Sequence, residues 1–305
     1  MLKITGTFLD EITWDIPPQN WDFADWHRDF DAMQAIGIDT VIIIRGGLRD
    51  KTVFPSKEVG RPGKPACGTG RQQDYDLAKF FLEEAAARNM QLFFGTYDSA
   101  IRNQKGDWQA EYAINQRFIR EVWERYGSYP SFAGWYLAQE YCRNRFPARE
   151  IYQHIGGFCK ELTPDRKVLI SPYYPSRKIF PEDFLTPAQF GEDWFRLLKG
   201  IDCIDYCAFQ DGTASLAELP DYLAAAKSFC AEYRISLWNN VETFSRDFPI
   251  KFPPIDFREL QEKLAISSGF AEKNITFEFS HFLSPNSCYP AAHHLYRRYR
   301  EWFGL

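Results

Sequence analysis

Phe132-Ala133-Gly134-Trp135-Tyr136-Leu137-Ala138-Gln139-Glu140 is the stretch whose reading decides the fold. A short apolar run ends on a glutamate, and the pattern returns at Ile235-Ser236-Leu237-Trp238-Asn239-Asn240-Val241-Glu242. Side chains of a strand alternate between its two faces. In the first run Ala133, Trp135 and Leu137 form an apolar set suited to outer helices, leaving Gly134, Tyr136, Ala138 and Glu140 on the opposite face. In the second, Leu237 and Val241 share the apolar face, and Ser236, Trp238, Asn240 and Glu242 take the other. If both strands belong to a closed barrel, both glutamates end their strands pointing at its axis.

Outward from these two runs, apolar segments alternate with longer amphipathic ones along the whole chain. Strands are expected at 4–9, 40–44, 91–96, 132–137, 167–171, 204–209, 236–241 and 275–279. Helices are expected near 21–36, 75–89, 108–126, 148–162, 188–198, 216–233, 257–270 and 291–302. Eight of each in strict alternation indicate an α/β protein, a single (β/α)8 TIM barrel over residues 1–305. An open doubly wound sheet is the alternative, but no GxGxxG follows the first strand. Helix-to-strand connections are short, as at Gly37-Ile38-Asp39. Strand-to-helix connections at 45–74, 96–107, 171–187 and 241–256 are long, so chain length gathers at the C-terminal mouth where barrel active sites lie. Gly60-Arg61-Pro62-Gly63-Lys64-Pro65, with Gly68 and Gly70, reads as an irregular cleft wall or lid, or as a solvated excursion.

Composition narrows the function. Aromatics reach 17%, and flat rings with polar edges suit sugar faces, although most must be core. The formal charge is -5 with dispersed basic residues, which gives nucleic acid no footprint. Seven cysteines without a CxxC pair form neither a disulfide framework nor a zinc site. No apolar run approaches a membrane span and no signal-peptide pattern opens the chain, so a soluble, cytoplasmic protein is expected.

Other polar residues crowd the same strand ends. Parity placing Ile275, Phe277 and Phe279 outward turns Glu278 inward, with Arg45 as its expected partner. Gln210 and Asp211 could bind sugar hydroxyls, or the Asp211-Gly212 turn could exist for its backbone. Trp14 and the adjacent Tyr173-Tyr174 sit in polar loops and are the best sugar platforms.

Glu140 and Glu242 at the ends of strands four and seven resemble the pair of the retaining glycoside hydrolases of clan A. Gly134-Trp135-Tyr136-Leu137 leading to Glu140, the Gln210-Asp211-Gly212 turn and the opening Gly6-Thr7-Phe8-Leu9 resemble, more narrowly, bacterial glycosidase-like barrels known only as a domain of unknown function. The resemblance implies that Glu140 is the acid/base and Glu242 the nucleophile of a retaining hydrolase acting on an oligo- or polysaccharide, with no cofactor. Clan A usually places Asn before the acid/base to hold the sugar 2-hydroxyl, and this chain has Gln139. Gln139, Gln210 and Asn240 would bind the sugar ring alongside Trp238, while Arg45 would keep Glu242 ionised. The alternatives are a divalent-metal sugar isomerase or epimerase using Glu140, Glu242, Glu278 and His281, and a catalytically silent carbohydrate-binding barrel.

Overall fold

The structure is a computed structural model that describes residues 1–13, 16–59, the backbone of 61–62, 76–100, 105–247 and 251–305. Eight parallel strands close a barrel: β1 (Ile4–Leu9), β2 (Thr40–Ile43), β3 (Gln91–Gly95), β4 (Phe132–Tyr136), β5 (Lys167–Ile170), β6 (Tyr206–Gln210), β7 (Ser236–Asn240) and β8 (Lys273–Thr276). Each pairs with its neighbours in sequence, and β1 closes on β8 with Thr7 opposite Thr276. Around them run α1 (Phe23–Ala35), α2 (Leu77–Ala87), α3 (Trp108–Tyr126), α4 (148–162, with a π turn at Tyr152–Gly156), α5 (Pro187–Leu198), α6 (Leu219–Glu232), α7 (Phe257–Ser267) and α8 (Pro290–Phe303). The fold is a (β/α)8 barrel.

Local sequence sets the helix starts. Asp22 and Asp25 form a reciprocal capping box on α1, and Thr186 with Gln189 does the same on α5, where Pro187 supplies a preset first turn.

Strand alternation divides the core in two. Phe8, Ile42, Phe93, Tyr136, Leu169, Trp238 and Ile275 fill the barrel interior. Trp135, Leu137, Leu237 and Val241 belong to the larger layer between sheet and helices. The parity assigned to β7 therefore holds, as does that of β4 from Trp135 onward; Ala133, expected outward, packs against the interior beside a shift in the β3–β4 register. The parity of β8 is reversed for Ile275, which lies in the interior, and Phe277, which packs against it, while Phe279 joins the outer layer as expected. The strand ends at Thr276, and residues 279–282 make one helical turn. The cause is Glu278, whose carboxylate accepts the backbone N–H groups of Ser280 (2.7 Å) and His281 (3.0 Å) and so caps that turn.

The long loop after β2 carries structure that the sequence did not announce. Gly47–Leu48 pairs with Tyr97–Asp98 and with Lys51–Thr52, which in turn pairs with Arg61–Pro62, giving a small sheet. The remainder of the expected lid lies outside the described residues. Among the described residues no helix is long and apolar enough to cross a membrane.

Candidate active site

Glu242 follows the last residue of β7 by two positions and is buried, 1% exposed. Its backbone N–H donates to Asp211 Oδ1 at 3.0 Å, and its carbonyl accepts from Lys263 Nζ at 3.0 Å. Lys263 reaches in from α7 and also ion-pairs with Asp211 at 2.9 Å, while Asn239 donates to the other Asp211 oxygen at 3.2 Å. The side chain is gripped separately. Arg246 forks the carboxylate, with Nε to Oε2 at 3.1 Å and Nη2 to Oε1 at 2.8 Å, the bidentate geometry of a strong charge-assisted pair. The Arg246 guanidinium rests on Phe244 at 4.9 Å and Phe252 at 5.5 Å. Behind the carboxylate lies Gly212, where an added Cβ would fall 1.9 Å from Oε2. The Asp211-Gly212 turn is thus explained by the glutamate it supports.

Glu140 sits four residues beyond the end of β4 and is half-buried. Tyr136, the last residue of β4, donates its hydroxyl to Oε1 at 2.9 Å. Burial raises the Glu140 carboxyl above its ordinary range. Arg45 and hydrogen bonds from Gln210 and Tyr136 work against that rise, and the charge on Glu242 adds to it. Arg45 is shared: its Nε pairs with Asp98 at 3.5 Å, and burial, which disfavours its charge, is outweighed by Glu140, Asp98 and Asp10.

Both glutamates line one cleft at the C-terminal mouth, holding ≈ 460 Å³ of atom-free space that includes open solvent. Arg45, Gln210 and Asn240 line it too, as the sequence suggested. Phe8, Phe277, Phe244 and Phe252 make an aromatic side wall, with successive ring centroids 6.0, 6.0 and 4.7 Å apart. Asp10 and Thr13 contribute a polar corner, where Asp10 accepts the Thr13 hydroxyl at 2.6 Å and burial raises its carboxyl.

The remaining expected site residues fall elsewhere. Gln139 turns away from the cleft and donates to the Tyr97 carbonyl (2.7 Å) and to Glu111 (2.9 Å), which ties β4 to α3. Asp211 is wholly buried beneath Glu242. Trp238 stacks on Tyr206 at 4.3 Å deeper in the barrel, under the Lys273 ammonium. Tyr174 is core, stacked on Phe209 at 4.9 Å, whereas Tyr173 stays half-buried beside the mouth. Trp14 lies outside the described residues. Glu278 pairs with His281 rather than Arg45, and His281 Nε2 donates to the Pro17 carbonyl at 2.8 Å. Burial opposes the imidazolium, but the Glu278 carboxylate and the Pro17 carbonyl overcome it and hold His281 at about 9. Glu278 and His281 are therefore committed to each other, and among the described residues no three His, Cys, Asp or Glu side chains gather as a metal site.

Residues 4–289 match the domain of unknown function DUF4434. The chain belongs to this family. It is similar, at 41% identity and a TM-score of 0.92 over 99% of this chain and 94% of the other, to a Bacteroides thetaiotaomicron protein provisionally named an alpha-L-fucosidase. The Thermotoga petrophila endo-1,4-beta-D-mannanase (10% identity, TM-score 0.64, covering 98% and 99%) shares the fold. So does the Thermoanaerobacterium saccharolyticum intracellular xylanase TsXylA (13%, 0.53, covering 90% and 85%). No curated protein matches significantly.

Two residues of this DUF4434 chain escaped the sequence reading. Arg246, not Arg45, forms the ion pair with Glu242, and its only signal is the four-residue spacing from Glu242 in an irregular loop. Lys263 had a clearer one: it is a lone cation among the buried Leu260, Leu264 and Ser267 of α7, and a buried lysine needs an anion.

Proposed function

We propose that this protein is a retaining glycoside hydrolase. The observation that carries the reading is the convergence of Glu140 and Glu242 on one mouth cleft, the first with its carboxyl raised and the second forked by Arg246. Glu242 attacks the anomeric carbon while Glu140 gives its proton to the departing glycosidic oxygen, leaving a glycosyl ester on Glu242. Glu140, now a carboxylate, takes a proton from water. The resulting hydroxide equivalent displaces Glu242 at the same carbon, so the sugar leaves with its original configuration and both groups are reset. Arg45 and Tyr136 stabilise the interval in which Glu140 is charged. Gln210 and Asn240 supply hydrogen-bonding groups to the sugar, which lies against the phenylalanine wall.

The relative at 41% identity makes an α-L-fucoside the first substrate class to test. With 4-nitrophenyl α-L-fucopyranoside and a panel of other aryl glycosides, proton NMR of the first-formed sugar should show retention. Glu242→Ala should lose several orders of magnitude in kcat, with azide restoring turnover as a glycosyl azide of inverted configuration. Glu140→Ala should suffer most on poor leaving groups and give an azide of retained configuration. No turnover across the panel favours a binding barrel, an inverted first product removes the nucleophile role, and exchanged phenotypes reverse the assignments.

A further inference from the structure

The cleft occupies one side of the mouth. Its lining comes from the ends of β1, β2, β7 and β8 and the loops after them, with Glu140 from the β4 side and Gln210 from β6. Strand β5, which lies between β4 and β6, contributes no described lining residue. Just beyond its end stands Tyr173, bridged in parallel to Gln210. Burial and the neighbouring Cys142 raise the Tyr173 phenol, and Glu140 raises it further, so the ring lies within electrostatic reach of that carboxyl.

Tyr173 does not stand alone. Its ring stacks on Phe180 with centroids 6.4 Å apart and 26° between planes. The Arg143 guanidinium lies 5.2 Å over Phe180 and is held by an ion pair to Asp183 at 3.2 Å. Both rings are half-buried, so each keeps part of its surface open. The two rings are near-parallel and Arg143 lies against Phe180, so the pair forms a fixed, part-exposed aromatic shelf.

The leaving oxygen of the proposed reaction takes its proton from Glu140, so the group it carries lies across Glu140 from the cleft that holds the glycone. That is the β5 side. We propose that Tyr173 and Phe180 bind the leaving group, and that this leaving group is itself a sugar. The C–H face of a pyranose packs against the exposed ring surface and its hydroxyls meet the phenol, whereas a small alcohol would cover little of it. This inference rests on the hydrolase reading and adds a substrate class to it: a saccharide of at least two units, cleaved between the phenylalanine wall and this shelf.

The test compares wild type, Tyr173→Ala and Phe180→Ala on α-L-fucosyl fluoride, which has no aglycone sugar, and on 2′-fucosyllactose, which has one. In each variant kcat/KM should fall about tenfold further on the trisaccharide than on the fluoride. Lactose added to the fluoride reaction should also intercept the glycosyl-enzyme less well in the variants. Equal losses on both substrates, or none on either, overturn the shelf. Should wild type turn over neither substrate, hydrolysis of fucosides fails, and calorimetric titration with 2′-fucosyllactose and with L-fucose still tests the shelf. Wild type should then bind the trisaccharide more tightly and the variants should lose that difference; no difference in wild type overturns the proposal.

Discussion

Glu242 and Glu140 occupy matching places past the ends of β7 and β4, yet the protein holds them by opposite means. Every polar group of Glu242 is engaged by a charged or fixed partner: Arg246 on both carboxylate oxygens, Asp211 on the amide, Lys263 on the carbonyl. Glu140 is half-exposed and its hydrogen bonds come from the neutral Tyr136 and Gln210, while the cation nearest it also serves Asp98 and Asp10. A bidentate guanidinium suits a carboxylate that stays charged and in place. Neutral donors and a shared cation suit one that must gain and lose a proton without leaving a buried charge unanswered. The contrast teaches that position on the barrel makes the pair, and that the surroundings divide the labour.

The comparison breaks most visibly at Lys263. Lys263→Met leaves Asp211 buried without its counter-ion and should cost about 3–5 kcal/mol of stability, measured as a shift in the urea midpoint. Replacing Asp211 by Asn in the same chain should return part of it. A loss below about 1 kcal/mol would mean that the β7 side is no more firmly built than the β4 side. Gly212→Ala comes next, since its methyl would overlap the Glu242 carboxylate. About a hundredfold loss in kcat is expected from the displaced nucleophile, with circular dichroism unchanged. Full activity would show that Glu242 has room to move. The smallest and sharpest change is Tyr136→Phe. The hydroxyl favours the Glu140 carboxylate, so removing it raises that carboxyl further above its ordinary range. An acid is lost as pH rises through its pKa, so the basic limb of kcat/KM should move to higher pH. Movement to lower pH would contradict the acid role of Glu140.

Much of this was legible in the chain. The inward set of β7, from Trp238 to Glu242, was readable because period-2 patterning persists across a strand whose outer face must be apolar. The same logic failed at β8 for a physical reason. Phe277-Glu278-Phe279-Ser280 alternates like a strand, but Glu278 spends its carboxylate on the amides of the following turn, so the alternation is that of a cap. Gln139 looked like a sugar ligand because it precedes Glu140. Its amide instead serves Tyr97 and Glu111, a contact more than twenty residues away that spacing cannot reveal. Arg45 was credited with Glu242 because it ends β2, and only three-dimensional geometry gives that carboxylate to Arg246.

Closure of the barrel by β1 against β8 fixes when the cleft can exist. Phe8 and Phe277 form adjacent parts of one wall, although nearly the whole described chain separates them. Contacts of such sequence separation must overcome the largest loop-closure entropy and depend on everything between them. A folding chain can therefore bring Glu140 and its neighbours on β3 to β5 together early and still present no walled pocket. Recognition arises in the last act of assembly, when the final strand meets the first.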